Sequence, residues 1–279
     1  MLRRVNRERR CPVCGHDSWC GFSLDGGRLL VVCMRTPSGR PSANGGWVHL
    51  LEGGAVASPP ADAVRDVRPV GEDARREIRT RYRRWLSFGL PLAPAAGILG
   101  LRQEWLAEYG AAATDATGDL VIPMLDCGSV VGVRVRRADG RKYSWPGSRN
   151  GLFMPKSPMS DGQVAVVAEG PTDAAALWGL GFYALGRPDC LSVPGLVAST
   201  LQRMGVSRAV IIADRDEPGI RGATKLAKTL RGARVSSSVL VPPDGVKDAR
   251  DWAARDPDGL RSAVLRTCPA TGANHNGNR

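Results

Sequence analysis

The chain has 279 residues, a formal net charge of +12 and a hydrophobic content of 43%, which is enough for one or more packed cores. With 34 glycines and 20 prolines, it stays below the roughly 25–30% Gly and Pro content that is typical of low-complexity chains. The basic excess favours a polyanionic partner, because Lys and Arg release condensed counterions when they bind phosphate backbones.

No segment of the sequence indicates secretion or membrane insertion. The basic first ten residues are not followed by an apolar run, and no apolar stretch is long enough to span a membrane. Four of the seven cysteines lie within the first 33 residues, and such clustering without a signal peptide indicates metal binding rather than disulfides. We therefore expect a cytoplasmic protein with no membrane partner.

Residues 1–52 are predicted to form a small zinc-binding ribbon. Cys11 and Cys14 bracket a tight Cys-Pro-Val-Cys turn that Gly15 permits, and Cys33 ends the second strand of a predicted hairpin. This arrangement is typical of two metal-binding turns joined by a hairpin. A module this short cannot bury a sufficient core, so the metal would supply much of its folding free energy.

The fourth zinc ligand is left open between two residues. The position three after Cys33 is Thr36, so the second Cys-x-x-Cys expected of a ribbon is missing. Three thiolates would leave a structural site open, and the fourth ligand is therefore Cys20 or His49. If residues 26–27 form the hairpin loop, Cys20 lies directly across from Cys33.

Residues 53–71 are rich in Pro, Gly and Ala without periodicity, which predicts a linker. A basic α+β subdomain is predicted over residues 72–160. Its first helix runs from Glu72 to about Ser87, with an apolar face formed by Ala74, Ile78, Tyr82 and Trp85. Six arginines accompany these aromatic residues and indicate either a solvated helix face or a nucleic-acid contact.

The remainder of this subdomain predicts a short helix around residues 102–109 and strands at 119–123, 130–136 and 142–145. Arg134 and Arg136 alternate with valines, so both side chains project from one face of their strand. Lys142 begins the next strand and can join them. With the neighbouring basic residues they would form a one-sided ridge, comprising Arg134, Arg136, Arg137, Arg141, Lys142 and Arg149. The alternative is a solubilising sheet face.

Residues 161–268 alternate apolar strands with helices, which predicts a parallel sheet with right-handed crossovers. Strands are expected at 164–168, 182–185, 209–213 and 235–241, and residues 269–279 form a polar tail. The overall fold class is therefore α/β, with flanking helices on the parallel sheet, preceded by the basic subdomain and the zinc ribbon.

Acidic residues follow the predicted strands. Glu169 ends the first strand, Asp214 and Asp216 follow the third, and Asp248 follows the fourth. Functional groups gather at the carboxyl ends of parallel strands, and oxygen ligands without His or Cys favour Mg²⁺ or Mn²⁺ over zinc. The alternative is a set of solvated carboxylates and helix N-caps. This alternative is the weaker interpretation, because four acidic residues lie at strand ends in a strongly basic chain.

Two of these motifs resemble the Toprim domain, which is shared by bacterial-type primases, topoisomerases, small nucleases and recombination mediators. The first is Glu169-Gly170 with Asp173, and the second is Asp214-Arg-Asp216 followed by Gly219 and Gly222. The resemblance implies a Toprim-type parallel sheet over residues 161–268.

The preceding segments resemble the layout of bacterial and phage DNA primases, in which a zinc ribbon precedes the catalytic core. The matching motifs are the cysteine module, Val121-Ile-Pro, Gly132-Val-Arg-Val-Arg, Lys142-Tyr, Ser148 and Gly151-Leu-Phe. This resemblance covers roughly residues 11–260.

The resemblance implies a role for each matching side chain. Glu169 would organise metal and act as the general base, while Asp214 and Asp216 would hold the divalent ions that bind the phosphates of the incoming nucleotide. Asp248 would be a further magnesium ligand. The template or initiating nucleotide would be positioned by Arg134, Arg136 and Lys142, and supporting residues would be Gly170, Asp173 and Lys247.

We therefore expect a DNA primase that joins ribonucleoside triphosphates into short RNA primers on a single-stranded DNA template by two-metal phosphoryl transfer. Its cofactors would be structural Zn²⁺ and catalytic Mg²⁺ or Mn²⁺, and a separate replicative helicase would be its partner. Two alternatives remain, a Toprim-type metal-dependent nuclease and a non-catalytic single-strand DNA-binding replication adaptor. The zinc ribbon and the basic strands oppose the first alternative, and the intact acidic residues oppose the second.

Overall fold

A computed structural model describes residues 3–6, 8–17, 19–25, 28–40, 42, 47–51, 72–115 and 118–267. The predicted linker at 53–71 and the predicted tail at 269–279 lie outside these residues. The described chain contains three four-stranded sheets, and within it no helix is long and apolar enough to cross a membrane. The predicted α/β class is confirmed, since one of these sheets is parallel and flanked by helices.

The amino-terminal sheet is antiparallel and has the strand order β1-β2-β3-β4. Its strands are β1 (Arg3–Arg4), β2 (Gly21–Asp25), β3 (Arg28–Cys33) and β4 (Trp47–Leu51). Gly21 pairs with Val32 and Asp25 pairs with Arg28. This register continues to Cys20 opposite Cys33, as the hairpin prediction requires.

The basic subdomain consists of three helices and a second antiparallel sheet of order β5-β6-β7-β8. Its elements are α1 (Glu72–Ser87), α2 (Ala93–Leu99), α3 (Gln103–Glu108), β5 (Ala112–Ala113), β6 (Leu120–Asp126), β7 (Ser129–Arg136) and β8 (Lys142–Ser144). Helix α1 has the predicted bounds. It packs Ile78 and Tyr82, one helical turn apart, against Val133 and Val135 of β7.

One helix of this subdomain goes beyond the sequence predictions, and one predicted side-chain position is not tested. Helix α2 was not anticipated, because its short Ala- and Pro-rich segment has too few turns to show a helical period. The side chain of Ala74, predicted for the apolar face of α1, lies outside the described residues.

The third sheet is parallel throughout and has the order β10-β9-β11-β12. Its elements are β9 (Ala165–Glu169), α4 (Pro171–Gly179), β10 (Tyr183–Arg187), α5 (Pro194–Arg203), β11 (Arg208–Ile212), α6 (Glu217–Gly232), β12 (Ser236–Leu240), α7 (Ala249–Arg255) and α8 (Pro257–Thr267). The alternation of strands and helices read from the sequence is therefore confirmed.

Both faces of the parallel sheet are covered. Along β9, Val166 and Ala168 point to a core that includes α4, α7 and α8, whereas Ala165 and Val167 point to a core with α5 and α6. Successive strand residues face opposite sides of a sheet, so burial on both faces explains why this strand is a continuous apolar run.

The parallel sheet and the basic sheet are joined by a short bridge at Leu152 and Phe153. Leu152 exchanges two backbone hydrogen bonds of 2.8 Å with Leu125 at the end of β6, and Phe153 exchanges two of 2.9 Å with Gly186 of β10. One hydrophobic core also includes residues of both sheets. The two sheets therefore pack as one body, and the predicted boundary between residues 160 and 161 stays a prediction.

Side-chain hydrogen bonds reinforce this joint. Tyr109, a residue that is only 2% exposed, donates from its hydroxyl to the carbonyl of Ala184 in β10 at 2.7 Å. Arg134 of β7 reaches across and donates from Nη2 to the carbonyl of Pro188 at 2.8 Å. The orientation of β7 relative to the carboxyl ends of β9 and β10 is thus fixed by backbone and side-chain contacts.

Gly186→Ala tests the joint. A Cβ at this position would lie 2.6 Å from the carbonyl oxygen of Gly170 and 3.1 Å from Cβ of Phe153, so the bridge must shift. We expect the free energy of unfolding, measured by urea titration, to fall by about 1–3 kcal/mol. The control is Gly195→Ala in α5, where a Cβ meets no atom within 4 Å. Equal stabilities of the two variants would contradict the importance of the close approach.

Candidate functional site

Four cysteine thiols meet at one end of the amino-terminal sheet. The ligand atoms of Cys11, Cys14, Cys20 and Cys33 all lie within 4.8 Å of one another. The sulfur of Cys20 is 3.6 Å from that of Cys14 and 3.9 Å from that of Cys33. Two thiolates on tetrahedral zinc, with Zn–S bonds of about 2.3 Å, stand roughly 3.8 Å apart. The cluster fits a zinc ribbon.

Backbone N–H groups surround these thiols. Gly15, with φ of 72°, closes the first turn by donating to the carbonyl of Cys11 at 2.8 Å. Met34 N–H donates to the Cys20 sulfur at 3.4 Å, and Thr36 N–H donates to the Cys33 sulfur at 3.2 Å. Hydrogen bonding with the Cys11 thiol lowers the pKa of Cys33 to about 6. Hydrogen bonds among the thiols raise the pKa of Cys11 and of Cys20, so these contacts distribute the protons unevenly over the metal-free cluster. The backbone N–H donors are the contacts that favour a thiolate, which is the form that binds metal.

His49 lies outside the cluster. It pairs with Val31 in the sheet, and its Nε2 lies 2.9 Å from the carbonyl oxygen of Thr36. Of the two candidates for the fourth ligand, the structure brings Cys20 to the other three cysteines. Thr36 donates its backbone N–H to the Cys33 sulfur, and the thiol that joins Cys33 comes from Cys20, the residue before β2.

The predicted acidic residues gather at the carboxyl edge of the parallel sheet. Glu169 is the last residue of β9, and Asp173 lies in the first turn of α4. Asp214 follows β11, while Asp216 and Asp248 are the N-cap residues of α6 and α7. Neighbouring strands of one parallel sheet end at the same edge, which brings all five carboxylates to one side of the molecule.

Burial and mutual repulsion make this edge costly to ionise. Desolvation, with the carboxylates of Glu169 and Asp248, raises the pKa of Asp214 to about 7. Desolvation, with Asp248 and Asp214, also raises the pKa of Asp173 to about 7. The pKa of Glu169 is raised by desolvation and held back by Arg187. A divalent cation would relieve this repulsion.

The carboxylates are more widely spread than the thiols. Within the described residues, the four cysteines are the only group of three or more His, Cys, Asp or Glu side chains that lie close enough together to hold a metal ion. Two of the aspartates also cap helices. Asp216 Oδ1 accepts from Gly219 N–H at 2.7 Å, and Asp248 Oδ1 accepts from Asp251 N–H at 2.8 Å. Each has a second oxygen that can face a cation.

The two glycines of the second acidic motif allow close packing. A Cβ on Gly219 would lie 2.6 Å from the carbonyl oxygen of Asp214, and one on Gly222 would collide with the carbonyl oxygen of Cys190. These glycines let α6 approach the end of β11 and the loop after β10. The spacing of the motif therefore has a steric cause.

Basic side chains of the antiparallel sheet face the acidic edge. Arg136 lies directly across from Lys142 in the β7–β8 pair, on the same sheet face as Arg134. Burial lowers the pKa of all three groups, and nearby carboxylates oppose the shift, including Glu169 for Arg134 and Asp173 for Arg136 and Lys142. The structure brings these three predicted residues to the acidic site.

The other members of the predicted ridge are engaged locally. Their ion pairs are Arg137 with Asp119 at 2.8 Å, Arg141 with Asp139 at 2.6 Å, and Arg149 with Asp126 at 3.7 Å. The partners lie in or next to the same sheet. The part that faces the carboxylates is therefore smaller than the six-residue ridge expected from the sequence.

The sequence reasoning missed two arginines at the site. Arg250, in the first turn of α7, donates its backbone N–H to Asp173 Oδ1 at 3.1 Å. Arg187 ends β10 directly opposite Glu169 in β9, although it is only 3% exposed. A basic residue at the end of an otherwise apolar strand was the available signal. Lys247, which was predicted, counters the charge of Asp214 from the exposed loop before α7.

The aromatic residues of α1 lie behind the basic sheet. Trp85 and Trp145 are in edge-to-face contact with ring centroids 4.9 Å apart, and the Arg81 guanidinium lies 5.0 Å from the centroid of Trp145. Trp85 joins the valine cluster on the face of β7 opposite Arg134 and Arg136. A nucleic-acid contact by α1, which is one of the two interpretations that the sequence leaves open, would therefore not be part of the acidic site.

Comparison with solved structures shows the fold of the chain. Aquifex aeolicus primase (zinc-binding and RNA polymerase domains) matches over 71% of this chain and 63% of that chain, with a TM-score of 0.52 and 17% identity. The primase fragment of the bacteriophage T7 primase-helicase protein matches over 63% of this chain and 73% of that one, with a TM-score of 0.49 and 19% identity. The RNA polymerase domain of Mycobacterium tuberculosis primase matches over 70% and 83%, with a TM-score of 0.49 and 19% identity.

The chain therefore has the fold of the zinc-binding and RNA polymerase domains of bacterial primase, and it spans 63% of the length of the Aquifex protein. No protein-family model matches it, and no curated protein matches its sequence.

The cysteine cluster predicts which substitutions release zinc. Cys20→Ser should lower the zinc content of the purified protein, measured by mass spectrometry or a chromogenic chelator, because three thiolates leave the site open. His49→Ala should retain one zinc per chain, since its ring contacts the carbonyl of Thr36. Loss of zinc from His49→Ala together with retention by Cys20→Ser would contradict the four-cysteine site.

The raised pKa of Asp173 predicts a pH-dependent stability of the metal-free protein. The folded-state pKa of about 7 exceeds the ordinary value of 3.8, so ionised Asp173 destabilises the fold above pH 7. This penalty is full above pH 7, where it is on the order of 4 kcal/mol, and it falls by about 1.4 kcal/mol for each pH unit between 7 and 3.8. Below pH 3.8 the carboxyl is protonated in both the folded and the unfolded chain, and the penalty is lost. Asp173→Asn keeps an oxygen to accept from Arg250 N–H and removes the charge.

We therefore expect Asp173→Asn to raise the melting temperature at pH 8 in the presence of a chelator, and to raise it much less at pH 5, where most of the penalty is lost. Asp258→Asn, at an exposed position in α8, is the matched control and should leave the melting temperature unchanged at both pH values. An Asp173→Asn variant that is less stable than wild type at pH 8 would contradict the burial of a raised carboxyl.

Proposed function

We propose that the chain is a DNA primase that synthesises short RNA primers on single-stranded DNA by metal-dependent phosphoryl transfer. One observation carries the proposal: the acidic edge of the parallel sheet faces Arg134, Arg136 and Lys142 across the joint at residues 152–153. Phosphoryl transfer needs metal charge and fixed phosphate geometry more than covalent chemistry, and these two groups of residues supply both. The primase-like fold supports the same activity.

The carboxylates are suited to hold Mg²⁺ or Mn²⁺. Glu169, Asp214, Asp216 and Asp248 offer oxygen ligands, which magnesium and manganese prefer. Bound ions would stabilise the negative charge on the transferring phosphoryl group, and two ions would serve the attacking and leaving oxygens. Within the chain, the caps that Asp216 and Asp248 make on α6 and α7 fix one oxygen of each side chain. Those caps therefore orient the ligands before a cation binds.

The basic side chains are suited to hold phosphate groups. Arg134 is anchored by its hydrogen bond to Pro188, and its partly buried guanidinium keeps further N–H donors for a phosphate oxygen. Arg136 and Lys142 sit side by side across two strands. Partial burial strengthens their attraction for phosphate, since the charges are less screened than at a fully exposed surface. In this proposal they position the template or the initiating nucleotide.

Glu169 is suited to accept a proton. Its pKa is raised by burial, with Arg187 opposing the shift, and a general base works best when its pKa is close to the operating pH. In this proposal Glu169 orients metal and takes the proton from the primer 3′-hydroxyl as that oxygen bonds the α-phosphorus of the nucleotide, while the bond to the β-phosphate breaks and pyrophosphate leaves. Asp173, Gly170 and Lys247 support the site from α4, the β9–α4 turn and the loop before α7.

The amino-terminal sheet would serve the same reaction as a template-binding module with one structural Zn²⁺. The proposed substrates are single-stranded DNA and ribonucleoside triphosphates, and the proposed partner is a separate replicative helicase. These assignments rest on the resemblance of the sequence to primases and on the basic charge of the chain.

Primer synthesis provides the test. Wild-type protein, single-stranded DNA of mixed sequence, ribonucleotides and Mg²⁺ or Mn²⁺ should yield labelled short RNA. Asp214→Asn should reduce the yield at least 100-fold, because it removes a metal ligand while leaving a side chain of the same size. Asp161→Asn, at an exposed loop position, is the control and should retain full synthesis.

The same reactions separate the alternatives. Absence of RNA products from a wild-type protein that still binds the template would overturn the primase proposal. Nicking of end-labelled DNA in those tubes, lost in Asp214→Asn, would support the nuclease. Template binding with neither product would support the non-catalytic adaptor.

A further inference from the structure

Arg187 is a buried cation at the carboxyl edge of the parallel sheet, where it ends the outermost strand β10. It is 3% exposed and lies directly across from Glu169, the last residue of β9. Its backbone carbonyl accepts from Gly170 N–H at 2.7 Å. The side chain therefore starts from a position that the sheet register and the β9–α4 turn hold firmly.

The hydrogen bonds of the guanidinium do not explain its burial. Nη1 donates to the carbonyl of Cys190 at 2.7 Å, and Nε is buried with no hydrogen-bond partner among the described residues. Desolvation lowers the pKa of Arg187, which measures the cost of keeping the charge there. A buried charge with only a carbonyl contact is destabilising unless other charges compensate it.

Carboxylates on three neighbouring segments provide that compensation. Glu169 at the end of β9 makes the largest favourable contribution to the charged form, and Asp189 and Asp214 add to it. In return, Arg187 is the group that most strongly lowers the pKa of Glu169, against the increase that burial causes. The arginine and the acidic edge therefore stabilise one another through space.

Arg187 also connects the two motifs that carry the acids. Its contact with Cys190 holds the loop that follows β10, and that loop packs against Gly222 of α6. Helix α6 begins at the Asp216 cap. Loss of the guanidinium would thus change both the charge of the site and the position of α6 against the loop that follows β10.

We propose that Arg187 is a built-in counter-charge, a positioning residue that holds the acidic edge together before a divalent cation binds and that weakens cation binding in return. This role rests on the proposed metal site. A cation and Arg187 would share the same carboxylates, so their positive charges repel one another. An arginine with a purely structural role makes the opposite prediction, because its loss would disorder the site and weaken cation binding.

Manganese titration of the full-length chain separates the two roles. Arg187→Met fills a similar volume without charge, and we expect its dissociation constant for Mn²⁺, measured by electron paramagnetic resonance or calorimetry, to fall at least fivefold. Arg187→Lys keeps the charge but changes the contact with Cys190, and it should bind Mn²⁺ within about twofold of wild type while melting at a lower temperature. Arg231→Met, at an exposed position late in α6, is the matched control and should leave the affinity unchanged.

Weaker Mn²⁺ binding by Arg187→Met, or equal binding, would overturn the counter-charge role. If Arg187→Met does not fold, Arg187→Lys provides the test instead. A Mn²⁺ affinity of this variant that differs from wild type by more than fivefold, in either direction, would also overturn the counter-charge role. If the wild-type chain binds no Mn²⁺, the proposed metal site is refuted. The role of Arg187 as a counter-charge to the carboxylates is then tested without metal.

The metal-free test is a double-mutant cycle of Arg187→Met with Glu169→Gln, read by urea denaturation at pH 8. Each single variant leaves an uncompensated buried charge, whereas the double variant removes both. We expect the double variant to be clearly more stable than the sum of the single effects predicts. Additive effects would overturn the proposal, whatever the manganese result.

Discussion

The site depends on the backbone bridge at Leu152 and Phe153. These two residues hydrogen-bond to β6 of the antiparallel sheet on one side and to β10 of the parallel sheet on the other. Backbone hydrogen bonds tolerate little displacement, so the bridge fixes both the distance and the angle between the sheets. The shared core, the Tyr109 hydroxyl and the Arg134 contact then reinforce a geometry that the bridge has set.

That geometry gathers charges that would otherwise repel each other. The parallel strand order brings five carboxylates to one edge, and burial raises the pKa of Asp173 and Asp214 to about 7. The chain offsets part of this cost with Arg187 at the end of β10 and with the nearby cations Arg136, Lys142 and Arg250. The remaining imbalance favours a divalent cation, which is how an electrostatically costly arrangement becomes a suitable site for phosphate chemistry.

The amino-terminal sheet has too few apolar side chains to stabilise itself by burial alone. Its core is small and built largely around the cysteines themselves, three of which are fully buried. A metal held by four thiolates can supply folding free energy that so few apolar side chains cannot. Position 36, where a second Cys-x-x-Cys would have a cysteine, is a threonine in this chain. Cys20 provides the fourth thiol instead, because the hairpin register places it beside Cys33.

Local patterns were sufficient for most elements, although not for the short helix α2, and for the positions of the acids. The bounds of α1, the parallel strands, the hairpin register at Cys20 and the acidic residues at strand ends all follow from periodicity and strand order, which are properties of neighbouring residues. Local patterns did not decide between Cys20 and His49. They also did not predict the presence of Arg187 and Arg250 at the site, or the local ion pairs of Arg137, Arg141 and Arg149. Those features depend on which atoms meet when separate segments pack, since burial, charge compensation and close approach at Gly186 and Gly222 exist only between segments that are distant in the chain. The sequence by itself determined the parts and the chemistry they carry, and the tertiary structure alone decided which charges face one another.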